Sequence, residues 1–182
     1  MAPEDDAEVL LSEEVISARV KELAADINRD YQGQTPVLVG VLQGAFVFIA
    51  DLVRRLEIPV SVDFMRVSSY GKNLVTSGEV KILLDLTTPI ANRPVILVED
   101  IVDTGLTIEY LRANLEARKP ESISTCTLLQ KPSNTITVAP VDYLGFTIQD
   151  HFVVGYGLDY AGRYRELPYV GILGESHKAR GV

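Results

Sequence analysis

The stretch Val95-Ile96-Leu97-Val98-Glu99-Asp100-Ile101-Val102-Asp103-Thr104-Gly105-Leu106-Thr107 decides how this chain folds. An unbroken apolar run of strand length predicts a strand buried on both faces, as in a parallel sheet covered by helices. Ligands of such sheets collect outside the carboxyl ends of the strands, and Glu99 and Asp100 stand at that end. Adjacent strand residues point to opposite sides. The acid pair therefore suits paired cis hydroxyls or a water-carried Mg²⁺ better than one compact metal cage. Thr104, Gly105, Leu106 and Thr107 then bring small side chains, hydroxyls and backbone N–H groups to the start of a helix, a ready site for a phosphate dianion. Asp103 lies between the two groups. It can reach neither the far end of the phosphate nor the sheet core, so it is available as a general base to whatever reacts above a sugar.

Working outward, Ile108, Leu111 and Leu115 recur at helical spacing, and Pro120, with the restricted Lys119 before it, supplies a stop. Ser12 opens a capping pattern for a helix carrying Val15, Ile16, Val20, Leu23 and Ile27, ending near Asp30. Pro36 to Leu42 is a second buried-strand run, followed by the turn Leu42-Gln43-Gly44 and a helix with Phe46, Ile49, Leu52 and Val53. In that turn Gly44 lets backbone approach a ligand closely. Further strands are expected over 60–67, 80–84, 122–129, 141–146 and 152–156. Residues 68–79 carry polar side chains, two glycines and no sustained apolar period, which predicts a long exposed loop acting as a lid, with Ser69 and Tyr70 near its tip. Strands alternating with helices predict one mainly parallel α/β domain over residues 1–182 with right-handed crossovers. Residues 1–8 read as a frayed tail.

Composition agrees with a compact enzyme. At 182 residues and 47% hydrophobic, the chain can bury about two-thirds or more of its unfolded surface. No apolar stretch approaches membrane-spanning length, and the acidic start is unlike a basic-then-apolar signal, so a cytoplasmic location is expected. The single Cys126 sits in an apolar strand and reads as a small buried hydrophobe. A formal charge of −8 argues against a nucleic-acid partner, which would call for a basic face. His151 and His177 are isolated and read as solvent or structural residues. No Gly-x-Ser-x-Gly elbow or Walker lysine is present, which disfavours hydrolase and kinase readings.

The acid-acid, spacer, Asp-Thr-Gly, Thr form of residues 99–107 resembles the 5-phosphoribosyl-1-pyrophosphate (PRPP) loop of the phosphoribosyltransferases. The segments Leu42-Gln43-Gly44, Ser68-Ser69-Tyr70-Gly71, Leu128-Leu129-Gln130-Lys131-Pro132 and Asp150 to Tyr160 resemble, in order, those of the hypoxanthine-guanine phosphoribosyltransferase family. The likeness spans roughly residues 10 to 175. It implies the type I phosphoribosyltransferase fold: a five-stranded parallel core flanked by helices, with a small hood built from the chain ends. It also implies purine salvage, with Mg²⁺-dependent transfer of the ribosyl phosphate of PRPP to N9 of hypoxanthine or guanine, and a homodimer or homotetramer.

Residue roles follow from the same likeness. Glu99 and Asp100 would hold the ribose hydroxyls and Mg²⁺, residues 104–107 the 5′-phosphate, and Asp103 would take the purine N7 proton. Leu42, Gln43 and Gly44 would line the pyrophosphate with Arg165, across a non-proline cis peptide; family members often carry lysine where this chain has Gln43. Lys131 would donate to the 6-oxo group, Phe152 would stack on the base, and Val153 and Asp159 would meet its edge, with Asp159 also near Mg²⁺. Taken alone, Lys131 reads as a solvated lysine at a strand end, Phe152 as a core ring, and Arg165 as a surface partner of Glu166. Two other readings stay open: a regulator of the same fold that senses PRPP, and a receiver-like domain holding Mg²⁺ on the acid pair.

Overall fold

The computed structural model describes residues 7–69, 80–134, 136 and 140–174. The chain begins with strand β1 (Ala7–Leu11) and helix α1 (Glu13–Asp30), continues through β2 (Val37–Leu42) and α2 (Phe46–Val53), and adds β3 (Ser61–Ser69) and β4 (Val80–Leu84). The central strand β5 (Pro94–Val102) leads into α3 (Leu106–Glu116), then β6 (Ser122–Gln130), β7 (Tyr143–Thr147), β8 (Val153–Val154) and β9 (Val170–Leu173).

The large sheet has the order β4-β3-β2-β5-β6-β7. The five strands from β3 to β7 run parallel, and β4 closes one edge antiparallel to β3. The five-stranded parallel core thus carries one antiparallel edge strand. A second, three-stranded sheet of order β1-β9-β8 joins the two ends of the chain into the hood.

The apolar run at the head of β5 is explained by what covers its two faces. Ile96 and Val98 belong to the core under α1 and α2, with Ile16, Val20, Leu23, Phe48 and Leu52. Val95 and Leu97 belong to the core under α3, with Ile108, Leu111 and Leu115. Those three α3 side chains are fully buried and contribute about 1.5–3 kcal/mol each over exposure. The alternation carries on past the core: Glu99 follows Leu97 toward the α3 side and Asp100 follows Val98 toward the α2 side.

Local signals act where expected. Ser12 Oγ accepts from Val15 N at 3.4 Å, capping α1. Helix α3 stops at Glu116, ahead of Pro120; Arg118 and Lys119 tighten onto Leu115 and Glu116 carbonyls, and Lys119 takes a φ of 55°. Two expectations need correction. Ala7 and Glu8 are not part of a frayed tail but open β1, paired with Leu173 and Ile172. Ser68 and Ser69 are not in a lid loop but end β3, where they pair with Lys81 and Val80. The rest of the expected lid, including Tyr70, lies outside the described residues, as do residues 1–6 and His177.

Candidate active site

The carboxyl end of β5 places three acids in three environments. Glu99 and Asp100 are buried, while Asp103 is exposed on the turn before α3. Burial, reinforced by the charge of Asp100, pushes the Glu99 carboxyl well above the usual carboxylate range. Burial likewise pushes Asp100 up to about 6, against the opposing pull of the Ile101 N–H and the Arg165 guanidinium. Glu99 Oε2 is buried with no hydrogen-bond partner among the described residues. A buried carboxylate oxygen without a donor is costly, so this end of the sheet is built for a cation or a hydroxyl-bearing ligand.

The turn after β5 forms a small cavity of about 80 Å³ lined by Glu99, Asp103, Thr104, Gly105, Thr107 and Ile108. Gly105 caps α3 with a φ of 85°, a left-handed conformation that glycine adopts without steric cost. Thr104 Oγ1 accepts from Leu106 N at 3.4 Å, holding the turn at the start of α3, where the first N–H groups of a helix have no partner within it. Those amides and the positive end of the helix suit a dianion.

Across the sheet, the turn after β2 contains a cis peptide bond between Leu42 and Gln43. A Cβ built on Gly44 would overlap the Asp100 carboxyl, and one on Gly157 would overlap the Gly44 carbonyl. Three chain segments therefore meet at Gly44, which lies against the Asp100 carboxyl on one side and Gly157 on the other. Arg165 closes the group: its guanidinium donates to the Gly157 carbonyl and lies 2.7 Å from Asp159 Oδ1. Asp159 Oδ2 also accepts from Gly162 N at 2.8 Å.

The residues expected at the base collect beyond β6. Lys131 is buried, its N–H donates to the Val102 carbonyl at 2.9 Å, and its Nζ lies 3.2 Å from Asp150 Oδ1. Phe152 is exposed and meets Tyr160 edge-on, with ring centroids 5.6 Å apart. Its carbonyl accepts from Leu173 N at 3.0 Å, and the next residue, Val153, is buried in β8. His151 is half-buried, and Cys126 is fully buried, which raises its thiol pKa.

Three plain readings of single residues are overturned here. Lys131 is not a solvated lysine, Phe152 is not a core ring, and Arg165 pairs with Asp159 rather than Glu166. The structure brings Glu99, Asp100, Asp103 and residues 104–107 together, with Gly44 and Arg165 beside Asp100. The side chain of Ser69 lies outside the described residues. Sequence reasoning missed Asn134 and Asp150, which bond to Asp103 and Lys131; isolated polar residues in loops carry no periodic signal. It also missed Gly157, whose place follows only from the close packing against Gly44.

Comparison with known proteins agrees with this arrangement. The phosphoribosyl transferase domain family matches residues 7–161. A hypoxanthine-guanine phosphoribosyltransferase from Bacillus subtilis is 49% identical over 173 residues, covering 95% of this chain and 96% of the relative. A hypoxanthine phosphoribosyltransferase from Salmonella typhimurium is 50% identical over 166 residues, covering 90% and 93% respectively. The crystal structure of a hypoxanthine phosphoribosyltransferase from Staphylococcus aureus superposes with a TM-score of 0.91 at 44% identity, over 95% of each chain. The chain belongs to the hypoxanthine-guanine phosphoribosyltransferases, enzymes of the type I phosphoribosyltransferase fold.

Proposed function

We propose that this enzyme transfers the 5-phosphoribosyl group of PRPP to N9 of hypoxanthine or guanine, releasing pyrophosphate and forming IMP or GMP in purine salvage. The observation that carries this reading is the end of β5. There, two buried acids, an exposed Asp103 and the start of α3 stand in sequence, with the buried Lys131 bonded to Val102 alongside.

Positive charge develops at the anomeric carbon as the bond to pyrophosphate breaks and N9 attacks. The backbone and hydroxyls of the 104–107 turn hold the 5′-phosphate and fix the sugar. Glu99 and Asp100 accept hydrogen bonds from the ribose hydroxyls. The backbone of Leu42, Gln43 and Gly44 lies along the departing pyrophosphate, and Arg165 meets its charge. Asp103, exposed above the sugar, accepts the N7 proton as N9 forms its new bond. Lys131 donates to the 6-oxo group, Phe152 lies against the purine face, and Val153 and Asp159 meet its edge through backbone groups.

The donor set fits Mg²⁺, a hard cation that takes carboxylate oxygens and water. Glu99, with its unpartnered Oε2, and Asp100 would hold it; Asp159, engaged by Arg165 and Gly162 N, would reach it only through water. When bound, the ion neutralises charge on the pyrophosphate. Substrates are small molecules, the setting is cytoplasmic, and the chain works as a homodimer or homotetramer. No helix among the described residues is long and apolar enough to cross a membrane.

The test is nucleotide formation from PRPP, Mg²⁺ and hypoxanthine by the native chain and by Asp103→Asn. The native chain should turn over, and the variant should lose about 10² to 10⁴ in kcat. A variant with near-native kcat would remove Asp103 from the role of base.

A further inference from the structure

The turn that follows β6 runs beside the turn that follows β5, and three contacts stitch them. Lys131 N donates to Val102 O at 2.9 Å and Ile136 N donates to Thr104 O at 2.9 Å. Between these two backbone bonds, Asn134 Nδ2 donates to Asp103 Oδ1 at 2.7 Å. The same nitrogen donates to Asp150 Oδ1 at 2.8 Å, and that carboxylate is also the partner of Lys131 Nζ.

A side-chain amide nitrogen carries two hydrogens, so Asn134 can serve both carboxylates at once. Its orientation is set from both sides. The amide oxygen would be repelled by either carboxylate, and it accepts instead from Ser133 Oγ at 3.3 Å. The amide of Asn134, followed by the Lys131 ammonium, holds the Asp150 carboxyl below the usual range. The chain Asp103, Asn134, Asp150, Lys131 therefore joins the exposed acid of the PRPP loop to the buried lysine of the base side by consecutive hydrogen bonds.

We propose that Asn134 is a positioning residue that fixes the spacing between the Asp103 carboxylate and the Lys131 ammonium. This rests on the transferase reading, in which Asp103 meets N7 and Lys131 meets the 6-oxo group. N7 and the 6-oxo oxygen lie on the same edge of the purine, on the two ring positions that flank C5, so a rigid link between their partners sets the base in register for attack. Asn134 itself touches neither sugar nor leaving group in this scheme. Its loss should lower kcat and leave PRPP binding alone, because the backbone bond from Ile136 to Thr104 remains to hold the phosphate turn.

The test is steady-state kinetics with hypoxanthine on the native chain and on Asn134→Ala, Asn134→Gln and Asn134→Asp. Asn134→Ala should lose about ten- to a hundredfold in kcat, with the KM for PRPP within about twofold of native. Asn134→Gln keeps the two-hydrogen donor and should recover most of that loss. Asn134→Asp places a third carboxylate between two others and should be slower than Asn134→Ala. The proposal is overturned if Asn134→Ala keeps kcat within about twofold of native, or if its KM for PRPP rises in step with the fall in kcat, the mark of a loosened turn. Should Asn134→Ala fail to fold, the ratio between Asn134→Gln and Asn134→Asp decides: about tenfold or more supports the link, and equal rates refute it. A native chain with no transfer to any purine would defeat the transferase reading itself, which is a separate result.

Discussion

Gly44 and Asp100 are built against each other: a side chain on Gly44 would occupy the space of the Asp100 carboxyl. The turn after β2 and the acidic end of β5 thus share one volume, and glycine is required by contact rather than by a positive φ. Gly44→Ala should leave the fold intact, since the displaced group is a side chain at the end of a strand. It should lower kcat/KM for PRPP by about a hundredfold, the loss expected from roughly 1 Å of misplacement at a reacting site. Kinetics together with a melting curve would check both halves of that expectation.

The buried acid pair is a stability cost to the fold. Asp100 has a pKa of about 6 in the fold against an ordinary value of 3.8, so unfolding releases protons between those values. Stability from this group is therefore highest below 3.8, falls as pH rises toward 6, and is flat above. Glu99 shifts in the same direction. Glu99→Gln removes a buried ionisable group, so it should raise the Tm of the ligand-free protein at pH 7.5 by about 3–8 °C while reducing turnover. The gain should shrink at pH 5.5, where burial already favours the protonated acid. Calorimetry at the two pH values is the check, and a destabilised Glu99→Gln would contradict the argument.

Gln43 is exposed on the turn that carries Gly44. A lysine introduced there would act as a solvated charge worth up to about 1 kcal/mol. Gln43→Lys should lower the KM for PRPP by no more than about fivefold at low ionic strength, and the gain should fade as salt is added. A salt-independent gain would mean that the lysine makes a specific bond.

Lys131 is buried and carries its charge beside Asp150. Lys131→Met keeps the length and removes the donor. It should lower kcat/KM for hypoxanthine by about 10² or more while changing the KM for PRPP little, because a buried 6-oxo group would be left without its partner. Equal loss for PRPP and purine would place Lys131 in the scaffold rather than at the base.

The central sheet was legible because β5 and β2 are buried on two faces and read as apolar runs, and α3 because its three buried residues stand at helical spacing. The hood was not. Strand β1 is five residues with an acid among them, β8 is two residues, and each exists only through pairing with β9 from the far end of the chain. In the site, the acids, the glycine turn and the helix start are contiguous, so residues 99–107 could be read together. The state of Lys131 depends on Asp150, nineteen positions later, and that of Arg165 on Asp159 rather than its neighbour Glu166. Such pairings arise from the third dimension and leave no spacing in the chain.

The most direct measurement is pyrophosphate release by the purified protein with PRPP and Mg²⁺, offered hypoxanthine, guanine, xanthine and adenine separately. The expected result is turnover with hypoxanthine or guanine and none with adenine, which lacks the 6-oxo group proposed as the acceptor for Lys131. Equal turnover with adenine, or PRPP binding without turnover of any base, would contradict it.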